Sequence, residues 1–267
     1  MKIMVRILAL ALGLSTDTVF AADGIPRERA MSRLVDTSYV FPSSGNVQGN
    51  GAYFKTRMVL VNPTKSPMTI NAVLSTPGGP VGPQAISLVS GETKVYENVL
   101  ADVFGHTGGA GIRLWESTDT RPFVASAEVY ADLTAGRYST PVFGMSIDDQ
   151  VGRVSDPGHS LSVGLRVDSA NRANFGCANA DSTPISVQAD FYTPTSGPST
   201  PETSVILDLP ANGWQQTRVP VTGDPINIRF KTFPTSGPLG TYCYGVTVNN
   251  ASADGTSVPA VYVWPSD

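Results

Sequence analysis

Apolar and polar residues alternate along much of the chain with a period of two. In "TINAVLST", Ile70, Ala72 and Leu74 fall on one side, and Asn71, Val73 and Ser75 on the other. "ISVQADF" sets Ile185, Val187, Ala189 and Phe191 against polar neighbours, and "INIRFKTF" from Ile226 keeps the same period. Successive side chains of a strand point to opposite faces, so this alternation predicts half-buried strands. Between the runs lie "TPGGPVGPQ", "TPTSGPSTPE" and "FPTSGPLG". These predict turns or loops, because proline removes a backbone donor and glycine accepts positive φ. Helical patterning is confined to 97–105 ("ENVLADVFG") and 27–36 ("RERAMSRLVD"). Short strands divided by turn chemistry predict an all-β, antiparallel sandwich architecture.

The pattern occurs twice. "FKTRMVLVNPTKSPMTINAVL" from Phe54 and "NRANFGCANADSTPISVQADF" from Asn171 each carry a charged lead-in, an apolar strand, Asn, a polar turn with Pro, and a second alternating strand. Aligning Asn62 with Asn179 also aligns Pro67 with Pro184. The later runs follow in the same order: "AISLVSGETKVYENV" against "SVILDLPANGWQQTRVPV", "GAGIRLWES" against "INIRFKTF", and "RPFVASAEVYAD" against "TYCYGVTVNNAS". Two tandem antiparallel β-sandwich domains are therefore expected, over 40–150 and 151–267, with the boundary inside "SIDDQVGRVSDPGHS". The shared Asn has a physical use, since its side chain bonds nearby backbone while Pro stops the strand from continuing.

The ends set the compartment. Lys2 and Arg6 precede a short apolar core, Ile7 to Leu14, and "VFA" supplies small residues for a cut after Ala21. Residues 1–21 read as a secretory signal peptide, too short in apolar length for the roughly 20 residues of a membrane span. No lipid-attachment cysteine lies near the cut, and no membrane insertion is expected after cleavage. Residues 22–39 form an N-terminal extension. The segment 23–40 ends in a strand-like run that either pairs with its own sheet or adds to a neighbour's edge and drives self-assembly. The net charge is −4, about −5 once Lys2, Arg6 and Asp17 are removed. Such a balance excludes the basic footprint that nucleic acid requires, and gives no attraction to anionic lipid.

Three motifs carry a resemblance: "FKTRMVLVNP" (54–63), "LVSGET" (88–93) and "VASAEVYAD" (124–132). They resemble the "F-x-T-x-L-x-L-x-N-P" strand, the "L-x-x-G-E-T" turn and the closing "V-x-S-x-x-Y-x-D" strand of a family of secreted bacterial proteins with tandem immunoglobulin-like β-sandwich modules. The likeness covers most of residues 40–267, with Ala180 standing in the second copy where Pro63 stands in the first. It implies an immunoglobulin-like fold and export from a bacterial cell, and brings no catalytic residue.

Candidate chemistry is sparse. Cys177 and Cys243 are an even pair in an exported chain, which favours a disulfide pinning the sandwich; two buried free thiols are the alternative. His106 and His159 stand alone, so no zinc site is expected and no metal or other cofactor is implied. Ser146 has Gly144 on one side but Asp148 where a nucleophile elbow needs glycine, so no catalytic residue is assigned. Glu97, Asp102, Glu116, Glu128 and Asp132 read as solvated acids rather than a glycosidase pair. Asp148, Asp149 and Asp254 offer oxygens for calcium without the spacing of a dedicated loop. Of Trp115, Trp214 and Trp264, Trp214 sits beside the turn "ANG" and is the candidate for stacking on a sugar.

The expected function is an exported, non-enzymatic binding or structural module of the cell envelope or extracellular matrix. Its partner would be an envelope or extracellular protein or a polysaccharide, and its location secreted, periplasmic or at the cell surface. The alternatives are a carbohydrate-binding protein using exposed aromatics, and a glycan hydrolase assembled from scattered acids.

Overall fold

The computed structural model describes residues 36–49, 52–134, 136–146, 149–151, 159–196, 199–233 and 240–263. The signal peptide, the helical expectation over 27–35, Asp148 and Trp264 lie outside the described residues. Everything else below concerns this set.

The chain is all-β with antiparallel sheets. In the first half run β1 (Ser38–Gln48), β2 (Tyr53–Val61), β3 (Met68–Thr76), β4 (Gly79–Leu88), β5 (Thr93–Tyr96), the short helix α1 (Val99–Phe104), β6 (Gly108–Glu116), β7 (Val124–Leu133) and β8 (Gly136–Val142). In the second half follow β9 (His159–Val167), β10 (Asn171–Asn179), β11 (Ile185–Tyr192), β12 (Thr203–Leu209), β13 (Trp214–Arg218), β14 (Gly223–Phe233), β15 (Thr241–Asn249), β16 (Gly255–Pro259) and β17 (Val261–Val263).

Strand order in the first half is β4-β3-β6-β1-β2-β7-β8, with β5 pairing the far end of β2, over Met58–Val61, where β1 no longer does. Strand β1 makes this one continuous path: it pairs with β6 from Ser38 to Asn46, slips register between Phe41 and Ser44, and hands its last two residues to β2. The second half has two separate sheets, β13-β10-β15-β16 and β12-β11-β14-β9-β17. Adding eight to each strand number of β4-β3-β6-β1 and β5-β2-β7-β8 reproduces the second-half order, with β17 added at an edge.

The alternation drives this arrangement. Met68, Ile70, Ala72 and Leu74 of β3 are buried with Ile112 and Leu114 of β6, and they meet Met58 and Leu60 of β2 in one cluster. A second cluster joins Phe175 and Cys177 of β10 to Val187 and Phe191 of β11 and Ile228 and Phe230 of β14. Fully burying side chains of this size stabilises by roughly 1.5–3 kcal/mol each. The expected turn "TPGGPVGPQ" is corrected: only its start turns, and Gly79–Gln84 already belongs to β4. Pro80 and Pro83 fit there because β4 is a sheet edge, where a missing N–H leaves no ladder bond unmade.

The paired asparagines build the same device twice. Asn62 is buried, and its Nδ2 donates to the carbonyls of Ser66 (2.8 Å) and Val89 (3.0 Å) while its Oδ1 accepts from Thr64 N (2.9 Å) and Thr64 Oγ1 (2.7 Å). Buried Asn179 donates to the carbonyls of Thr183 (2.8 Å) and Pro210 (2.9 Å) and accepts from Asp181 N (3.0 Å). In each half one side chain closes the turn after the strand and ties it to the next connection.

Candidate functional site

The residues where the halves meet follow from strand parity. On β6, Ala110, Ile112 and Leu114 point to the core, so Gly109, Gly111 and Arg113 face outward. On β10, Phe175 and Cys177 point inward, so Arg172, Asn174, Gly176 and Ala178 face outward. These two outer faces pack together. A methyl group on Gly109 would stand 2.5 Å from the Trp214 ring, and one on Gly111 would stand 2.6 Å from Ala178 Cβ. The missing side chains are the socket for the indole. Val40, Met145, Ala178, Trp214 and Tyr242 form a third buried cluster spanning both halves.

Polar bonds fix the docking. Trp214 Nε1 donates to the Pro42 carbonyl (2.8 Å), Arg113 Nη1 to the Ala180 carbonyl (3.2 Å) and Ser75 Oγ to the Asn179 carbonyl (3.3 Å). Thr76 and Gly213 add an isolated parallel bridge. Burial at this interface pushes the Tyr242 phenol up to about 12. Tyr244 is also raised by burial, and its hydroxyl donates to Gln216 Oε1 at 2.6 Å.

Beside Trp214 the two faces diverge and leave a cleft of about 360 Å³. The first half contributes Ser43, Phe54 and Thr140; the second contributes Arg172, Asn174, Trp214, Gln216 and Ser257. Its walls combine apolar and aromatic surface with a few convergent polar groups, the usual character of a small-molecule site. Its volume lies at the lower end of the usual range.

The sequence candidates are placed as follows. Cys177 and Cys243 form a disulfide with Cα atoms 4.1 Å apart. They are directly opposed residues of the neighbouring strands β10 and β15, so the bond staples one sheet rather than pinning two layers. In the first half the corresponding opposed pair is Leu60 and Ala125. Trp214, expected as an exposed ring, is corrected: it is 8% exposed, because the glycines of β6 let it sink between the halves, and only its margin reaches the cleft. Trp115 lies under the Arg113 guanidinium, 5.1 Å from its ring centre.

Asp149 is buried and accepts from Ser146 N (2.9 Å) and Ser146 Oγ (3.3 Å). Asp254 belongs to the turn between β15 and β16, its Oδ1 accepting from Gly255 N at 3.0 Å. Among the described residues no group of three His, Cys, Asp or Glu is placed to hold a metal ion. Residues 36–40 of the candidate assembly segment pair within the chain, through Asp36 with Phe123 and β1 with β6; residues 23–35 lie outside the described set.

Among the five acids, Glu97, Glu128 and Asp132 pair with Arg57 and Arg137 on one outer face. Glu116, expected to be solvated, is instead fully buried. Burial alone pushes its pKa up, but hydrogen bonds from Thr118, Arg121 and Thr120 outweigh that and hold it at about 2. The spacing "ESTDTR" supplies all three donors within five residues, a signal the sequence reading passed over. It also passed over Asp190, buried on β11 and bound by Ser204 Oγ (2.6 Å), Gln188 Nε2 (2.7 Å) and Arg229 Nη2 (2.7 Å). Both carboxylates are consumed by structure, which leaves neither free for proton transfer.

Compared with known proteins, the chain matches no family model and no curated sequence.

Proposed function

We propose that this chain is an exported, non-enzymatic binding protein made of two tandem immunoglobulin-like sandwich units, residues 40–150 and 151–267, whose ligand enters the cleft between them. The observation that carries the reading is the cleft itself, lined by side chains from both halves beside a tightly packed junction. The recurrence of strand order and of the Asn62 and Asn179 turns supports a duplicated unit. Export is supported by the disulfide, which fits an oxidising compartment, and by the signal-like start of the chain. No helix among the described residues is long and apolar enough to cross a membrane. Against catalysis stand the pairing of Glu97, Glu128 and Asp132 with arginines and the enclosure of Glu116 by hydrogen bonds, while Asp102 lies exposed on α1 and accepts from Asn98 N.

The test is capture by the immobilised mature chain from envelope and secreted fractions, proteins and polysaccharides both. Saturable capture that disappears when Ser257→Phe fills the cleft supports the reading. Capture that survives this substitution moves binding to another surface, and turnover of any glycan or peptide refutes the non-enzymatic role.

A further inference from the structure

Arg172 is the one cation on the cleft wall. It is half-buried, and among the described residues its guanidinium donates only to a neutral acceptor, Asn250 Oδ1, at 2.9 Å. A guanidinium has five N–H donors, so most of its capacity is unspent. No carboxylate offsets it: burial first, and then repulsion from a second cation, Arg218, lower the Arg172 pKa. The two arginines lie on one face of the β13-β10-β15-β16 sheet, since Asn174 shares the outward side of β10 with Arg172 and is the cross-strand partner of Arg218. The other arginines near acids are spoken for, Arg57, Arg121, Arg137, Arg166 and Arg229 each holding a carboxylate. A half-buried cation beside a like charge costs free energy in the empty protein, and an anion in the cleft removes that cost.

The rest of the wall narrows the ligand. The Asn174 side chain makes no hydrogen bond within the described residues, and its amide offers both a donor and an acceptor. Gln216 spends its Oε1 on Tyr244 and keeps its amide N–H groups. Ser257 and Thr140 add hydroxyls, while Phe54 and the margin of Trp214 add aromatic surface. No carboxylate lines the space. Neutral donors and acceptors around aromatic surface suit a ligand with several hydroxyls and an apolar ring face; the lone guanidinium suits one carboxylate, which it can bind through two parallel bonds.

We propose that the cleft binds an acidic saccharide of the uronic-acid type, its carboxylate on Arg172 and its hydroxyls on Asn174 and Gln216. This rests on the reading of the cleft as the binding site and adds the ligand's class. The saccharide is either a free sugar acid or a unit of an acidic polysaccharide, and the chemistry at the wall is the same.

The test is calorimetric titration of the mature protein with D-glucuronate, D-glucose and a trimer of galacturonate, repeated on Arg172→Gln, Asn174→Ala and Ser257→Phe. Binding of glucuronate or the trimer is expected, with glucose at least tenfold weaker. Arg172→Gln should weaken the acidic ligand by roughly tenfold or more, the scale of a hydrogen bond to a charged group. A tighter trimer identifies a polymer as the source, and equal affinities a free sugar acid. Glucose binding as well as glucuronate, with both lost in Ser257→Phe, overturns the acidic class and leaves the cleft reading standing. Acid binding that Arg172→Gln and Ser257→Phe leave unchanged overturns both, as does no binding of any probe by protein whose circular dichroism and unfolding transition are those of the folded chain.

Discussion

Replacing Asn62 tests the energetic role of the repeated turn. The buried side chain makes four bonds of 3.0 Å or less, to the Ser66 and Val89 carbonyls and from the Thr64 amide and hydroxyl. At about 1 kcal/mol net for each, Asn62→Ala should cost about 4 kcal/mol. Asn179 makes three such bonds, so Asn179→Ala should cost about 3 kcal/mol. Either is a large part of the roughly 5–15 kcal/mol that holds a protein folded. Asn62→Asp isolates the donor half, because it keeps the Oδ1 acceptor but turns an oxygen toward two carbonyls. Burial and these carbonyls raise the carboxyl pKa in the folded state above its unfolded value of about 3.9. A raised folded pKa means that the variant's deficit is smallest below about pH 3.9 and grows as pH rises through the folded value. Urea unfolding followed by tryptophan fluorescence, at pH 7 and near pH 4, reads both effects. Asn62→Asp as stable as the parent at pH 7 would refute the donor argument, and losses under about 1 kcal/mol for both alanine variants would refute the turn as a stabilising device.

Three further outcomes are expected. Cys177→Ser with Cys243→Ser should lower stability by about 4 kcal/mol, the chain-entropy value for a 66-residue loop, whereas Cys177→Leu with Cys243→Ala, copying Leu60 and Ala125, should recover part of it in the same unfolding assay. Gly109→Val should cost about 1–3 kcal/mol through overpacking against Trp214, and Trp214→Ala about 3–5 kcal/mol; unchanged calorimetric melting of both would contradict the socket. Glu116 has a folded pKa depressed to about 2, so its contribution is complete above its ordinary value near 4.5 and is lost as pH falls toward 2; Glu116→Gln should flatten this part of the acid-unfolding profile relative to the parent.

Strands whose two faces meet different surroundings were the readable ones. β3 and β11 alternate cleanly because one face is core and the other is partly wet. The run of β1, "SYVFPSSGNVQ", is buried on both faces through much of its length, with Phe41 in one core and Val40 at the junction, so no period survives in it. The helix expected at 97–105 is present as α1, closed by Gly105 in the left-handed conformation. Trp214 was misread because a ring beside a turn is ordinarily wet; the local signal of its burial lies about a hundred residues earlier, in the alternate glycines of "HTGGAGI". Those glycines say that something large docks there, but not which ring. The cleft was likewise illegible, since Ser43, Arg172 and Ser257 belong to three distant strands or their connections and meet only after the halves dock.

The docked faces also limit how far such a unit could multiply. Stacking uses Gly109 and Gly111 on one side and Ala178 and Trp214 on the other. The face of the first half that corresponds to the Trp214 side carries Arg57, Glu97, Glu128 and Arg137 in an ion-paired network, with Lys55 over the Tyr130 ring, and a preceding copy would have to dehydrate those charges. The face of the second half that corresponds to the glycine side carries Pro225 and Asn227 at those positions, with Arg229 and Asp190 alongside. Charge therefore stands within both faces, although Ile206, Val261 and Val263 remain exposed along the second. A further unit docking on either face as β10 docks on β6 would have to bury those charges, and without that burial it would hang as a tethered bead rather than extend a rigid rod.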